Sequence, residues 1–312
     1  MKTNNVQKQK LLICIVGPTA IGKTALSIKI ANHFSTEIIS ADSRQFYKEM
    51  NIGTAVPSSE ELAAAPHHFI QNRSISEGYS VGDFERDAIL LLDKLFKKHQ
   101  ILVMVGGSGL YVDAIVKGLD KFPKVSNEIK ENLISEFETN GIEPLQKELK
   151  LKDPVYYEKV DLQNQHRIIR ALGVCRAQEF PYSSFLRTEN SNRNFKTLFI
   201  GLTAERQLVY DRINQRVDIM IEEGLIEEAK SLHPNKSLNA LQTVGYRELF
   251  RYFEGDFSKE QAIEEIKKNT RRFAKRQGTW FRKNEAINWF EYQTNASKII
   301  KFIENAFPIS EN

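Results

Sequence analysis

Short apolar runs alternate with longer segments of helical spacing over the first third of the chain. Runs typical of buried strands lie at residues 10–16, 37–40 and 101–105, and helical patterns lie at 23–34 and 84–97. A strand, a helix and a second strand in this order predict a parallel βαβ unit. Ser80 and Asp83 precede the second helical pattern with the spacing of a capping box.

The alternation stops in the middle of the chain and returns later. Residues 119–195 are charged, helical in pattern and poor in strand signals, and they are punctuated by Pro123, Pro144, Pro154 and Pro181. We interpret this stretch as a mostly helical insertion domain. Strand-like runs then follow at 197–202 and 286–290, with helical patterns at 205–223 and 258–283. The sequence therefore predicts one α/β core domain, built from residues 1–118 and 196–312.

Composition places the chain among ordinary globular proteins. Of its 312 residues, 41% are apolar and 27% are charged. No apolar run approaches the roughly 20 residues of a membrane span, and the first ten residues lack the apolar core of a signal peptide. Two cysteines are too few for a disulfide framework, and Cys14 is predicted to be a core residue. We therefore expect a cytoplasmic protein with no membrane segment.

The first strand runs into a loop with the spacing G-x-x-x-x-G-K-T, which is typical of a phosphate-binding loop. Its glycines let backbone N–H groups surround an anion, and the following helix adds its positive N-terminus. Lys23 supplies a charge for a phosphate, and Thr24 a hydroxyl for Mg²⁺. This predicts a P-loop NTPase-like parallel sheet flanked by helices. The predicted phosphate ligands are Gly17, Pro18, Thr19, Ala20, Ile21, Gly22, Lys23 and Thr24.

Asp42 follows the second strand, at the edge of the sheet where ligands of parallel α/β proteins bind. It is interpreted as a general base or an indirect Mg²⁺ ligand, and alternatively as a helix cap or a solvated carboxylate. The third strand ends in residues 104–107, Met-Val-Gly-Gly, without the acid that holds Mg²⁺ in ATP-hydrolysing P-loop proteins. A motor or helicase is therefore disfavoured, and an enzyme that releases diphosphate or transfers a phosphate group stays open.

A second glycine-rich turn, G-G-S-G, occupies residues 106–109. It either lets a ligand approach the backbone, with Ser108 as a donor, or only packs a helix. His67 and His68 are adjacent and lack partners at metal-ligand spacing, so we expect a structural or hydrogen-bonding role.

Basic residues concentrate on one face of the last long helical pattern. They are Lys267, Lys268, Arg271, Arg272, Lys275 and Arg276, with Phe273, Trp280 and Phe281 around them. A basic face with aromatic neighbours suits a nucleic-acid backbone and unstacked bases. The alternative is a solvated face balanced by Glu260, Glu264 and Glu265. Gln165, Arg167 and Arg170 form a second basic cluster in the insertion, with the same alternative.

Together the motifs resemble the tRNA dimethylallyltransferase family over about residues 10–290. The resemblance rests on the phosphate loop and on residues 42–45 (DSRQ), 105–111 (VGGSGLY), 167–172 (RIIRAL), 244–248 (VGYRE) and 274–283 (AKRQGTWFRK). Ser108 stands where the family usually has Thr, and residues 161–164 read Asp-Leu-Gln-Asn where the family usually has His-Pro-Asn-Asp.

The resemblance implies transfer of a dimethylallyl group from dimethylallyl diphosphate to N6 of the adenosine on the 3′ side of the anticodon. The implied catalytic residues are Asp42, Lys23, Thr24 and Ser108, with Mg²⁺ on Thr24; Arg212 and Arg216 join the diphosphate ligands. The implied partners are dimethylallyl diphosphate and the tRNA anticodon stem-loop, with the protein a monomer. The implied tRNA-binding residues are Asp42, Ser43, Arg44, Gln45, Gln165, His166, Arg167, Arg170, Thr243, Val244, Gly245, Tyr246, Arg247, Lys275, Arg276, Gln277, Thr279, Trp280, Phe281 and Arg282.

Two other functions compete with this interpretation. A small-molecule P-loop kinase would bind ATP in preference to dimethylallyl diphosphate. A non-enzymatic RNA-binding P-loop protein would bind tRNA without turnover, and Asp42 would then be dispensable.

Overall fold

A computed structural model describes residues 9–186 and 192–308 of the chain. Within these residues six strands form one sheet in the order β3-β2-β4-β1-β5-β6, and every neighbouring pair is parallel. The strands are β1 (Leu11–Val16), β2 (Ile38–Ser40), β3 (His67–His68), β4 (Ile101–Val105), β5 (Lys196–Thr203) and β6 (Ile287–Glu291). The predicted P-loop-type parallel sheet is confirmed.

Helices connect the strands, and those outside the insertion cover both faces of the sheet. Up to the end of the insertion they are α1 (Lys23–His33), α2 (Ser59–Ala64), α3 (Val81–Leu95), α4 (Gly109–Val116), α5 (Asn127–Asn140), α6 (Glu143–Lys152), α7 (Pro154–Tyr157) and α8 (Gln165–Gln178). After it they are α9 (Arg206–Glu222), α10 (Leu225–Leu232), α11 (Tyr246–Phe253), α12 (Lys259–Phe281) and α13 (Ala296–Ala306). The predicted capping box at Ser80 and Asp83 is present at the start of α3.

Strand β1 is the centre of the core, with β4 on one side and β5 on the other. Its side chains alternate between two apolar layers. Leu12, Cys14 and Val16 belong to one layer, and Leu11, Ile13 and Ile15 belong to the other. A strand covered on both faces has no polar face, which explains its continuous apolar run. Burial raises the pKa of the Cys14 thiol, consistent with the core role expected for it.

The sequence pattern missed one strand. β3 consists of His67 and His68 only, and it pairs with Ile38 and Ile39 of β2 at the sheet edge. Two half-buried polar residues carry no apolar periodicity, so no local signal predicts them. His68 donates a 2.6 Å hydrogen bond through Nε2 to the Glu37 carboxylate, which fits the hydrogen-bonding role expected for this pair.

The insertion is a separate compact unit, Gly118–Ser191, while the first unit resumes at Asn192. The borders predicted from sequence were 119 and 195. Leu133, Leu149 and Leu172 belong to its own apolar core. Arg176 joins α5, α6 and α8, because its guanidinium donates to Glu136 and to Glu148 at 2.5–2.9 Å.

Candidate active site

The predicted phosphate loop links β1 to α1, and its backbone explains its glycines. Gly17 and Gly22 have φ of 144° and 102°, a region that other residues rarely adopt. A Cβ on Gly17 would also lie 2.7 Å from the carbonyl oxygen of Leu202 in β5. Gly22 caps α1 without a side-chain hydrogen bond, so the N–H groups of the first turn are available to an anion.

Lys23 begins α1 and points back into the loop, where its Nζ donates a 2.7 Å hydrogen bond to the Pro18 carbonyl. Burial lowers the pKa of Lys23 to about 8, Arg216 acts in the same direction, and Asp42 opposes both. Lys23 is half-buried and lines a cavity, so its charge is partly desolvated while it stays accessible, and a phosphate bound beside it would favour the charged form.

Two arginines of α9, both predicted to bind diphosphate, reach the phosphate loop. Arg212 donates through Nε to the Ala20 carbonyl at 2.7 Å, and its guanidinium lies over the Tyr292 ring at 5.4 Å. Arg216 donates to the Thr19 hydroxyl at 3.4 Å. Burial lowers the pKa of Arg216, while Asp42 works against that shift. Arginine stays charged in proteins, so both residues add positive charge to the loop.

Asp42 follows β2 and lies beside the end of β4. The N–H of Ala41 donates to the Val105 carbonyl at 2.7 Å, and a Cβ on Gly106 would lie 2.5 Å from the Ala41 carbonyl oxygen. One carboxylate oxygen of Asp42 accepts the N–H of Arg44 at 3.1 Å. This is a local turn contact, and it leaves the second carboxylate oxygen for a ligand.

The glycines of the second turn make room for helix α12. A Cβ on Gly107 would lie 2.2 Å from Gln277, and one on Gly109 would lie 2.3 Å from Trp280. Ser108 is held by Ser43, because its Oγ accepts the Ser43 N–H and bonds to the Ser43 Oγ, both at 3.2 Å. These contacts support the helix-packing interpretation of G-G-S-G, while Gly107, Ser108 and Gly109 also line a cavity, so a role in ligand binding stays a prediction.

Two adjoining cavities meet at Asp42. A cavity of about 1250 Å³ is lined by residues 19–25 of the phosphate loop and by Arg212 and Arg216. A second, of about 490 Å³, contains apolar side chains such as Leu110, Val217 and Leu225. Both are lined by Thr19, Asp42, Gly107 and Arg216. The site therefore offers one anion-binding chamber and one more apolar chamber, with a carboxylate between them.

Most residues predicted to bind tRNA lie around the second cavity or on the surface of α12. The second cavity is lined by Ser43, Arg44, Thr243, Val244, Gly245, Arg247, Arg276, Gln277 and Trp280. Lys275 and Thr279 are exposed on α12, and Arg282 is exposed directly after its end. Gln45 lines the first cavity instead, where its amide donates to the carbonyls of Thr54 and Ala55.

Two aromatic residues among the predicted tRNA contacts lie in the core. Tyr246 is 0% exposed and donates its hydroxyl to Glu228 at 2.7 Å, and Phe281 is 3% exposed. Their side chains have no free surface for RNA, so a direct side-chain contact is not available at either position, and their part in tRNA binding stays a prediction. An amphipathic helix must bury one face, and a motif comparison does not tell its two faces apart.

The basic face of α12 divides into two parts. Lys267 pairs with Asp218 at 2.7 Å, and Lys268 pairs with Glu265 at 2.7 Å. The alternative of a balanced, solvated face therefore describes this end of the helix. At the other end Lys275 and Arg276 are exposed, and Arg276 lies over the Phe273 ring at 5.7 Å.

The insertion carries its basic cluster on α8. His166, Arg167 and Arg170 are exposed and Gln165 is half-buried. Arg170 lies over the Phe122 ring at 5.2 Å, and the Asn164 side chain caps the helix by accepting the Arg167 N–H. These side chains are available to a ligand within this unit.

Glu228 of α10 was missed by sequence reasoning, although it shapes the site. Its carboxylate accepts the N–H groups of Asn51, Ile52 and Gly53 at 2.8–3.0 Å, together with the Tyr246 hydroxyl. The segment it holds lines both cavities. A glutamate in an amphipathic helix gives no local signal of such contacts.

The parallel sheet with a phosphate loop after its central strand defines a P-loop protein of the α/β class. The two chambers that meet at Asp42 further indicate an enzyme that joins two ligands. In the part of the chain that the structure describes, no helix is long and apolar enough to cross a membrane.

Comparison with known proteins names the family. The sequence model of IPP transferase matches residues 45–284. The chain is 62% identical over 294 residues to the tRNA dimethylallyltransferase of Christiangramia forsetii, covering 94% of this chain and 97% of that one. It is 44% identical over 295 residues to tRNA dimethylallyltransferase 1 of Bacteroides fragilis, covering 95% and 98%. The chain belongs to the IPP transferase family.

Solved structures agree with this family. The tRNA isopentenylpyrophosphate transferase of Bacillus halodurans matches with a TM-score of 0.70 at 36% identity, over 96% of this chain and 95% of that one. A eukaryotic dimethylallyltransferase acting on tRNA matches with a TM-score of 0.83 at 26% identity, over 97% and 82%.

Proposed function

We propose that this chain transfers a dimethylallyl group from dimethylallyl diphosphate to N6 of the adenosine on the 3′ side of the tRNA anticodon, giving N6-dimethylallyladenosine and diphosphate. The observation that carries the proposal is the position of Asp42 between a phosphate-binding chamber and a second chamber with apolar and aromatic walls. Membership of the IPP transferase family supports the same reaction.

The phosphate loop chamber suits the leaving group. The allylic C–O bond breaks as the C–N bond forms, and the diphosphate departs with several negative charges. Lys23, Arg212 and Arg216 surround the loop, and the N-terminus of α1 adds backbone donors. Positive groups that are held in place before the reaction stabilise the charge that develops on the leaving oxygen.

Asp42 suits the acceptor side. The exocyclic amine of adenine is a poor nucleophile because its lone pair is delocalised into the ring. The N6 atom loses one proton as it gains the dimethylallyl group, and the Asp42 carboxylate accepts that proton. A positioned general base typically contributes about 10²–10⁴ to the rate.

The second chamber suits an adenine that has left the anticodon stack. Extrusion of a base costs a few kcal/mol. Tyr111 and Trp280 line this chamber and offer aromatic surface, while Arg247 and Arg276 line it with positive charge for the backbone. The basic cluster of α8 is a further candidate for contacts with the anticodon stem-loop.

Mg²⁺ fits the oxygen groups of the larger chamber. Thr24 and Asp42 both line it, and a hydroxyl with one carboxylate is a usual protein contribution to a magnesium site shared with phosphates. Among the described residues no group of three or more His, Cys, Asp or Glu residues could hold a metal. We therefore propose that the diphosphate brings most of the ligands. When bound, the cation would neutralise part of the charge on the leaving diphosphate.

Replacing Asp42 by asparagine tests the proposal. With labelled dimethylallyl diphosphate and unmodified tRNA, the single-turnover rate of Asp42→Asn should fall by about 10² or more. Binding of either substrate should change far less, because the amide still fits and forms hydrogen bonds. Asp93→Asn, at an exposed position on α3, is the matched control.

Two outcomes of this assay would revise the mechanism. A rate within a factor of about 3 of wild type would remove Asp42 from the chemical step, since loss of a general base costs more. Partial recovery at high Mg²⁺ would instead assign Asp42 to the cation. The monomeric state and the cytoplasmic location stay predictions of the sequence.

A further inference from the structure

Gln277 joins two loops of the active site from the middle of α12. Its Oε1 accepts the N–H of Thr19 in the phosphate loop at 2.9 Å, and its Nε2 donates to the carbonyl of Gly107 at 3.0 Å. The residue is 6% exposed, so its amide is withdrawn from solvent. A side chain predicted to bind tRNA is therefore occupied inside the protein.

One partner of Gln277 is a hydrogen-bond donor and the other is an acceptor, which restricts the residue types that can make both bonds. A carboxylate would place an acceptor against the Gly107 carbonyl, and a lysine or arginine would place a donor against the Thr19 N–H. A side-chain amide satisfies both from one uncharged group. Gly107 makes the approach possible, because any Cβ would lie 2.2 Å from Nε2.

The anchored N–H belongs to the part of the loop with the least favourable backbone. Ala20, the next residue, has φ of 62°, a conformation that persists in a residue with a Cβ only where the surroundings hold it. Gln277 holds the chain before this residue, and Arg212 binds the Ala20 carbonyl after it at 2.7 Å. Two long-range contacts therefore bracket the strained turn.

We infer that Gln277 is a positioning residue for the phosphate loop. It fixes Thr19 so that the strained loop keeps the shape in which residues 19–25 line the diphosphate chamber. Its contribution is to the diphosphate and the prenyl donor rather than to tRNA. The inference rests on the proposed function, because it assumes that the diphosphate binds at this loop.

The first test replaces Gln277 by leucine in the full-length protein. Calorimetric titration with inorganic diphosphate and Mg²⁺ should give an affinity at least 10-fold weaker than wild type, and the KM for the prenyl donor should rise by a similar factor. The Kd for tRNA should stay within 3-fold. A general loss of structure would instead weaken the binding of diphosphate and of tRNA together. Gln207→Leu, at an exposed position on α9, is the matched control.

The second test, Gln277→Glu, uses pH. A protonated carboxyl has the same donor and acceptor arrangement as the amide, whereas an ionised one repels both the Gly107 carbonyl and the diphosphate. Relative to wild type at each pH, diphosphate affinity should therefore fall as pH rises. A ratio that does not change with pH would overturn the inference, as would wild-type diphosphate affinity in a folded Gln277→Leu protein. Failure of the wild-type chain itself to bind diphosphate would overturn the proposed function as well.

Discussion

Replacing Lys23 by methionine should make the ligand-free protein more stable, although the change disables its phosphate site. Burial lowers the pKa of Lys23 from an ordinary 10.5 to about 8, so the fold disfavours the charged form. At about 1.4 kcal/mol per pH unit, this penalty is roughly 3 kcal/mol at pH 7. Methionine has similar length and no charge, but it loses the 2.7 Å hydrogen bond to Pro18, worth about 1 kcal/mol. The expected net gain is about 2 kcal/mol.

The sign of the pH dependence follows from the lowered pKa. Below about pH 8 the lysine is charged in both the folded and the unfolded protein, and the whole penalty applies. As pH rises from about 8 to 10.5, the folded state releases its proton first, and the penalty disappears. The difference in unfolding free energy between Lys23→Met and wild type should therefore shrink as pH rises from about 8 to 10.5.

Urea unfolding at pH 7 and pH 10 measures both effects. Lys29→Met is the control, because Lys29 is exposed on the same helix and its loss should change stability by no more than about 0.5 kcal/mol. Added diphosphate should reverse the order, since it stabilises only the protein that binds it. A Lys23→Met protein less stable than the Lys29→Met control at pH 7 would refute the claim that the buried charge outweighs the hydrogen bond.

Three further predictions concern RNA binding, the loop at Asn51 and the pH profile. Lys275→Ala combined with Arg276→Ala should weaken tRNA binding and reduce the slope of log affinity against log salt concentration by about two. Lys267→Ala should leave this slope unchanged, because Lys267 is paired with Asp218. Equal slopes for the wild type and both variants would contradict this prediction. Glu228→Ala should lower the free energy of unfolding by about 2–3 kcal/mol, because it leaves the partly buried N–H groups of Ile52 and Gly53 and the Tyr246 hydroxyl without their acceptor, and a loss under 1 kcal/mol in urea unfolding would contradict it. In steady-state assays, kcat/KM for the prenyl donor should fall above about pH 8 as Lys23 loses its proton, and a flat profile to pH 9 would argue against a role for its charge.

The sequence by itself determined the features that depend on neighbouring residues. Continuous apolar runs predicted the strands buried on both faces, and glycine spacing predicted the phosphate loop between β1 and α1. The end of β2 placed Asp42 at the ligand edge, because parallel strands bring their carboxyl ends together. Loss of strand signals marked the insertion. Each of these follows from local periodicity or backbone geometry, which a short window of sequence contains.

Only the tertiary structure decided which side chains face one another across the molecule. Gln277 meets Thr19 across 258 residues, and Glu228 meets Gly53 across 175. The sequence motif suggested that Tyr246 contacts RNA, whereas in the structure its side chain is buried in the core. The physical reason is that a polar side chain on a helix has the same local pattern whether it meets water, RNA or a distant backbone group. The packing of helices on the sheet determines which of these partners a given side chain meets.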